Sequence, residues 1–162
     1  MPDSRRTRTL VRLRQEEDHL RVEVDFEQSL PIGLRVHKGA RDAVVRSLIG
    51  KGGGTVTSPG RACSFPLGQR RTAEALAERL RESLHQVASK PLSPKQVERL
   101  LSLTGAERNR WSKDGRLQRS GTATIRRGRT AISLSTYNVD AVERLLEAPE
   151  IVEGWRRSDR GS

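Results

Sequence analysis

The residues best suited to chemistry form one basic window in the second half of the chain. Between Gly105 and Thr130 there are eight lysines and arginines against two acidic residues. This window holds the whole basic surplus of residues 90–162, which carry 15 basic and 9 acidic side chains. Guanidinium groups bind phosphates and guanine edges through paired hydrogen bonds. Because the charge is concentrated on a short stretch, we expect the folded chain to hold all these guanidinium groups facing one way, along a phosphate backbone.

Two short helices are predicted at the start of this region. Ser93-Pro94-Lys95-Gln96 and Thr104-Gly105-Ala106-Glu107 are both capping boxes, the signature of a helix N-terminus. Their short separation predicts two helices joined by a tight turn near Leu103 and Thr104. This is helix-turn-helix spacing. Gly115 is expected to end the second helix.

A hairpin and a third helix follow. The hairpin is predicted at 122–134 around a turn at Gly128, with arginines at its tip. The helix is predicted at 138–146, where apolar residues recur at helical spacing. Helix, turn, helix, hairpin, helix is the element order of a winged helix-turn-helix domain. The predicted fold class is therefore α+β, with a small N-terminal α+β domain followed by a C-terminal winged helix-turn-helix domain.

One segment resembles a known family. Residues 107–117, ERNRWSKDGRL, are similar to the second helix of MerR-like and excisionase-like DNA-binding domains. That pattern is a basic helix with a tryptophan, a few polar residues, then Gly-Arg-Leu and a wing. Residues 137–146 resemble the segment that follows the wing in those domains. The resemblance covers about residues 93–147, and it departs from the family at Gln118, where a proline is usual.

The resemblance implies a binding geometry. The second helix would enter the major groove, and the wing would touch the backbone or the minor groove. Residues 108–110 are assigned to groove or base contacts, and Lys113 and Arg116 to phosphates. Trp111 is expected to pack in the core. The predicted DNA-binding residues are Arg108, Asn109, Arg110, Lys113, Arg116, Arg119, Arg126, Arg127 and Arg129.

The first half predicts a small α+β domain without an assigned role. Strands are expected where apolar residues alternate at 20–26 and 32–36, and helices at 40–49 and 73–87. The prolines at 91 and 94 mark a domain boundary. The predicted organisation is a basic disordered arm at 1–8, the α+β domain at 9–87, a linker at 88–92, the winged helix-turn-helix domain at 93–150 and a tail at 151–162.

A second and much less specific resemblance lies in this first half. Residues 30–85 resemble the HARP domain of annealing helicases, in which a helix leads to a Gly-containing turn and an aromatic-Ser-Phe-x-Leu strand. Ser64-Phe65-Pro66-Leu67 matches that strand, while Cys63 stands where the family has tryptophan. The resemblance implies contact with branched or single-stranded DNA. The alternative is a domain that binds a protein partner or a second copy of the chain.

Composition sets the limits on function. A net charge of +11 and a pI near 11.2 favour polyanionic partners, although a GC-rich genome would also explain 26 arginines against five lysines. The lone Cys63 excludes an internal disulfide and a multi-cysteine zinc site. No apolar run reaches the length of a membrane span. We therefore expect a cytoplasmic, nucleoid-associated protein with no membrane contact.

Catalysis is the function that the sequence supports least. His19, His37 and His85 stand far apart and without a partner motif, so no metal, cofactor or enzymatic activity is expected. The favoured function is binding of double-stranded DNA, as a regulator or as an accessory factor of recombination or of a mobile element. The alternatives are RNA binding, and an adaptor role in which the N-terminal domain binds a protein partner.

Overall fold

The computed structural model describes residues 4–58 and 60–162 and confirms a mixed α+β fold with small antiparallel sheets. The chain divides into two compact units, Met1–Lys90 and Pro91–Ser162. They are called the N-terminal unit and the C-terminal unit below.

The N-terminal unit contains four helices and a four-stranded sheet within the residues described. The strands are β1 (Val11–Gln15), β2 (His19–Val24), β3 (Thr55–Ser58) and β4 (Ala62–Pro66). All neighbours are antiparallel, in the order β1-β2-β4-β3. The helices are α1 (Ser4–Arg8), α2 (Ile32–Val36), α3 (Lys38–Lys51) and α4 (Arg70–Ala88), with a single 3-10 turn at Leu67–Gln69 before α4.

The core of this unit lies between the sheet and α4. Leu20, Val22 and Val24 of β2 are buried while the residues between them are partly exposed, which confirms the alternation expected of a half-buried strand. Helix α4 supplies the opposite side, because its apolar residues recur at helical spacing. Its buried residues are Ala73, Leu76, Ala77, Leu80, Leu84, Val87 and Ala88.

The predicted disordered arm is wrong for residues 4–8, which form α1; residues 1–3 lie outside the described part of the chain. Helix α1 packs against the rest of the N-terminal unit, since its Thr7 is fully buried. In addition, Arg8 donates two hydrogen bonds to the carboxylate of Glu78 on α4, at 3.0 and 3.1 Å.

The predicted strand at 32–36 is also wrong, since these residues form the short helix α2. Ile32, Gly33 and Leu34 are buried consecutively, whereas a half-buried strand would bury alternate residues. A side chain at Gly33 would collide with the carbonyl of Ala88 at the end of α4. The close approach of α2 to α4 favours a short helix at 32–36 over the predicted strand.

The C-terminal unit follows the predicted order of helices and hairpin. Its helices are α5 (Pro94–Leu101), α6 (Gly105–Lys113), α7 (Val139–Glu147) and α8 (Pro149–Arg160), and its two strands are β5 (Arg119–Arg127) and β6 (Thr130–Tyr137). Both predicted capping boxes are present, at Ser93 and at Thr104. The five-residue linker predicted at 88–92 is shorter, because Ala88 ends α4 and Leu92 is buried and bridged to Tyr137.

Residues 151–162 are not a tail, because most of them belong to α8. Val152 is buried, and the ring of Trp155 meets that of Trp111 edge to face with centroids 5.1 Å apart. The expectation that Trp111 packs in the core is confirmed, since it is fully buried. The C-terminal helix is therefore part of the unit's core.

In the described ranges, 4–58 and 60–162, no helix combines the length and apolarity needed to cross a membrane.

Candidate nucleic-acid interface

Helix α6 presents one face to the core and the opposite face to solvent. Trp111 lies on the inner face, and the chain leaves the helix through Gly115, whose φ of 85° favours glycine, to the buried Leu117. The outer residues are spaced by three and four positions, so they share one side of the helix. These exposed residues are Ala106, Asn109, Arg110 and Lys113. The outer face therefore exposes one amide and two basic side chains.

Arg108 does not belong to this face, and its assignment to base contacts is corrected. Its guanidinium donates hydrogen bonds to Glu98 Oε1 at 2.7 Å and to Tyr137 Oη at 2.8 Å. The side chain is 15% exposed. Ser112 completes the network, with its Oγ 2.9 Å from Tyr137 Oη. Arg108 thus joins α6 to α5 and to the end of the hairpin, and is not free to bind a nucleic acid.

Arg116 is likewise used within the chain, so its assignment to a phosphate is corrected as well. It donates hydrogen bonds to Asp114 at 2.6 Å and to Asp159 at 2.9 Å. Because two carboxylates surround this guanidinium, its positive charge is neutralised within the chain and is not available to a phosphate. These bonds fold the Gly115–Leu117 exit back against α6 and α8.

Asp159 is a structural residue that sequence reasoning missed. One of its oxygens accepts hydrogen bonds from Trp111 Nε1 and from Arg110, each at 2.9 Å, and the other accepts the bond from Arg116. A signal was present in the sequence, because Val152, Trp155 and Asp159 stand at helical spacing. Arg110 keeps 57% of its side chain exposed despite this bond, so it still belongs to the outer surface of α6.

The hairpin carries the remaining predicted cations. Arg127 pairs with Thr130 across the strands, so Gly128 and Arg129 form a two-residue loop. Gly128 has a φ of 60°, which suits the first position of a tight hairpin turn. Every residue of β5, from Arg119 to Arg127, is exposed. The hairpin therefore projects its arginines into solvent.

The arginines at the tip point to different sides of the hairpin. Successive side chains of a strand alternate between faces. Arg127 lines a groove together with Ile125 and Ile132 on one face, opposite Lys95 at the start of α5. Arg126 is on the other face, together with Thr122, Thr124, Ser133 and Ser135. The tip thus presents charge to both sides, and the expectation that all the guanidinium groups face one way is wrong for this pair.

Five predicted cations keep their charge available. Within the part of the chain that the structure describes, no carboxylate forms an ion pair with Lys113, Arg119, Arg126, Arg127 or Arg129. All five are exposed, as is Asn109. Unpaired surface cations repel one another. A polyanion relieves this repulsion, because its phosphates supply counter-charges.

Arg108 is hydrogen-bonded within the unit whereas Asn109 is exposed, and this difference gives a first testable prediction. Replacing Arg108 with alanine should lower the free energy of unfolding of the C-terminal unit by about 2 kcal/mol, because it strips Glu98 and Tyr137 of a charged donor. Replacing Asn109 should change it by less than about 0.5 kcal/mol. Urea unfolding followed by tryptophan fluorescence measures this, since both tryptophans lie in this unit. Equal effects of the two substitutions would contradict the structural role of Arg108.

The carboxylates of this unit give a second prediction, for pH. The hydrogen bond from Arg156 lowers the pKa of Glu107, and the hydrogen bond from the Trp111 indole lowers the pKa of Asp159. Groups with a depressed folded-state pKa stabilise the fold above their unfolded pKa, near 4, and this stabilisation is lost as pH falls through the folded pKa. The melting temperature should therefore drop below about pH 4, and less so in a variant with Glu107→Gln and Asp159→Asn. A melting temperature that rises towards acid would contradict this.

The three histidines lie at separate places in the N-terminal unit. His19 lies beside Asp18 and Glu16 on the β1–β2 turn, with nitrogen–oxygen distances of 2.7 and 2.6 Å, and its pKa is raised by the hydrogen bond to Asp18. His37 contacts the carbonyl of Lys90. Among the described residues, no three His, Cys, Asp or Glu side chains are grouped closely enough to hold a metal ion.

Comparison of the chain with protein-family models, with curated proteins and with solved structures finds no match. The resemblance to MerR-like domains therefore rests on the residues quoted above.

Proposed function

We propose that the C-terminal unit is a winged helix-turn-helix domain that binds double-stranded DNA. In this proposal the outer face of α6 enters the major groove, where Asn109 and Arg110 reach base edges and Lys113 contacts a phosphate. The β5–β6 hairpin is the wing, and its arginines lie along the backbone or in the minor groove. The cellular role would be that of a regulator, or of an accessory factor in recombination or in a mobile element.

One observation carries the proposal. The predicted DNA-binding cations divide into two groups: Arg108, Arg110 and Arg116 are paired with carboxylates, whereas Lys113 on α6 and four arginines of the hairpin form no ion pair within the described residues. Structural arginines account for the first group. A ligand with many phosphates accounts for the second, since it gains affinity from each cation that displaces a counterion.

A competition experiment tests this function. The labelled ligand is a duplex of random sequence, and the competitors are duplex DNA, a structured RNA and single-stranded DNA of equal charge. We expect duplex DNA to compete best, and the logarithm of the affinity to fall steeply with the logarithm of salt concentration. Single strands are poor candidates because stacking on aromatic rings drives their binding, and the five aromatic residues of the chain include the buried Trp111, Tyr137 and Phe65. If the structured RNA competes more strongly than duplex DNA, the ligand of this unit is RNA and the proposal of DNA binding is wrong.

A further inference from the structure

The N-terminal unit has a small polar pocket beside Phe26, well away in sequence from the basic window. Its volume is about 130 Å³, far below the 300 Å³ or more that a drug-sized ligand requires. A pocket of this size accepts a single small group. The residues that line it are Phe26, Asp42, Val45, Arg46, Gly60 and Arg61.

Arg61 is held in place at this pocket by both its backbone and its side chain. Its carbonyl accepts a hydrogen bond from the Val24 backbone N–H at 2.8 Å, which fixes it at the end of β2. Its guanidinium carbon lies 5.0 Å from the centroid of the Phe26 ring. An aromatic ring supports a guanidinium through a cation–π contact and leaves its N–H groups free to donate at the edges.

Arg46 stands across the same pocket, on α3. Its Cγ would lie 3.7 Å from a Cβ placed on Gly60, so the stem of the side chain runs over the turn that precedes Arg61. Gly60 has a φ of 68°, a conformation that favours glycine, and this brings the turn close to α3. Arg46 and Arg61, both exposed, thus border one small pocket from two different elements.

The charges around the pocket do not cancel. Asp42 is the carboxylate that lines it, and Arg41, 7% exposed, donates a hydrogen bond to Asp42 Oδ1 at 2.9 Å. That pair is neutral as a whole. Within the described ranges no carboxylate lies within ion-pair distance of Arg46 or Arg61, so the pocket retains two positive charges.

We propose that this pocket binds one phosphate group through Arg46 and Arg61. Guanidinium forks match the oxygens of a phosphate, and a dianion or a backbone phosphodiester supplies the missing counter-charge. The phosphate can come from a free phosphate ester or from a nucleic-acid backbone. The site belongs to the N-terminal unit alone and does not depend on the function proposed for the C-terminal unit.

NMR titration of the full chain tests the site. Amide signals of Gly60 and Arg61 are followed during addition of inorganic phosphate in one arm and of a thymidine dinucleotide with its single phosphodiester in the other, each against sodium chloride of equal ionic strength. We expect saturable shifts with phosphate and none with chloride. Saturation in the dinucleotide arm would identify backbone phosphate as a source of the ligand; its restriction to the phosphate arm would identify a free ester.

Variants matched for charge locate the binding. Arg46→Gln should weaken phosphate binding at least tenfold, and so should Arg61→Gln. Arg79→Gln removes the same charge from an exposed position on α4 and should leave the affinity within twofold. Arg46 is the sharper test, because its removal leaves the Arg61–Phe26 contact in place. Shifts that do not saturate, or an equal loss in the Arg79 variant, would overturn the proposal.

Discussion

A variant in which Arg126, Arg127 and Arg129 are replaced by alanine should bind duplex DNA about a hundredfold more weakly than the unmodified chain near 0.15 M salt. Each contact with a phosphate releases about 0.9 of a counterion, so three lost contacts also make the salt dependence shallower by roughly three units of slope. The fold should be unaffected, because these side chains are exposed and form no ion pair with described residues. Fluorescence anisotropy over a range of salt concentrations measures both quantities.

The matched control removes the same charge from elsewhere in the C-terminal unit. Arg99 on α5, Arg144 on α7 and Arg157 on α8 are also exposed. Their replacement by alanine lowers the net charge equally, so general attraction to a polyanion falls by the same amount. We expect the affinity of this control variant for duplex DNA to fall by less than about a fifth of the factor expected for the hairpin variant. Equal losses in the two triple variants would mean that net charge alone, with no defined interface, drives binding.

The second large effect is expected from Trp111→Ala. The indole is fully buried, and its Nε1 donates a hydrogen bond to Asp159. Removing a large buried aromatic side chain costs about 3–5 kcal/mol. A single core in a unit of about 70 residues rarely supplies more than about 3–5 kcal/mol of stability, so this loss removes most or all of it. We therefore expect the C-terminal unit to be largely unfolded, and DNA binding to be lost with it.

Amide NMR spectra distinguish this outcome from a local defect. The dispersed signals of residues 91–162 should collapse while those of the N-terminal unit remain. Trp155→Ala is the control, because that ring is only partly buried and should leave the unit folded. A well-dispersed spectrum for Trp111→Ala would show that α6 does not depend on the contacts of Trp111 with α8.

The local structure of the C-terminal unit was the part most open to prediction. Capping boxes at Ser93 and Thr104 act within four residues, so the start of each helix is visible in the sequence. The hairpin turn at Gly128 is equally local, since a positive φ calls for glycine. In the N-terminal unit the same kind of reasoning failed at α2. Its three alternating apolar residues fit a strand as well as a short helix, and packing of Gly33 against Ala88 decided between them.

Local sequence pattern could not predict which arginines are available to contact a ligand. Arg108 and Arg110 have the same chemistry and are neighbours on α6, but only Arg108 is largely buried. The difference arises from tertiary contacts with Glu98, Tyr137 and Asp159, which lie 10 to 49 residues away in the chain. Composition shows that there is a surplus of guanidinium groups. Only the fold shows which of them are used to hold it together.

Site-directed cross-linking tests the central claim most directly. Cys63 is buried, so a photoreactive maleimide can be attached selectively to a new surface cysteine. The test positions are Lys113→Cys on α6 and Arg129→Cys at the tip of the hairpin, with Arg144→Cys on α7 as the reference. We predict that both test positions cross-link to duplex DNA and that the reference does not. Cross-linking at Arg144 equal to that at the two test positions would contradict an interface built from α6 and the hairpin.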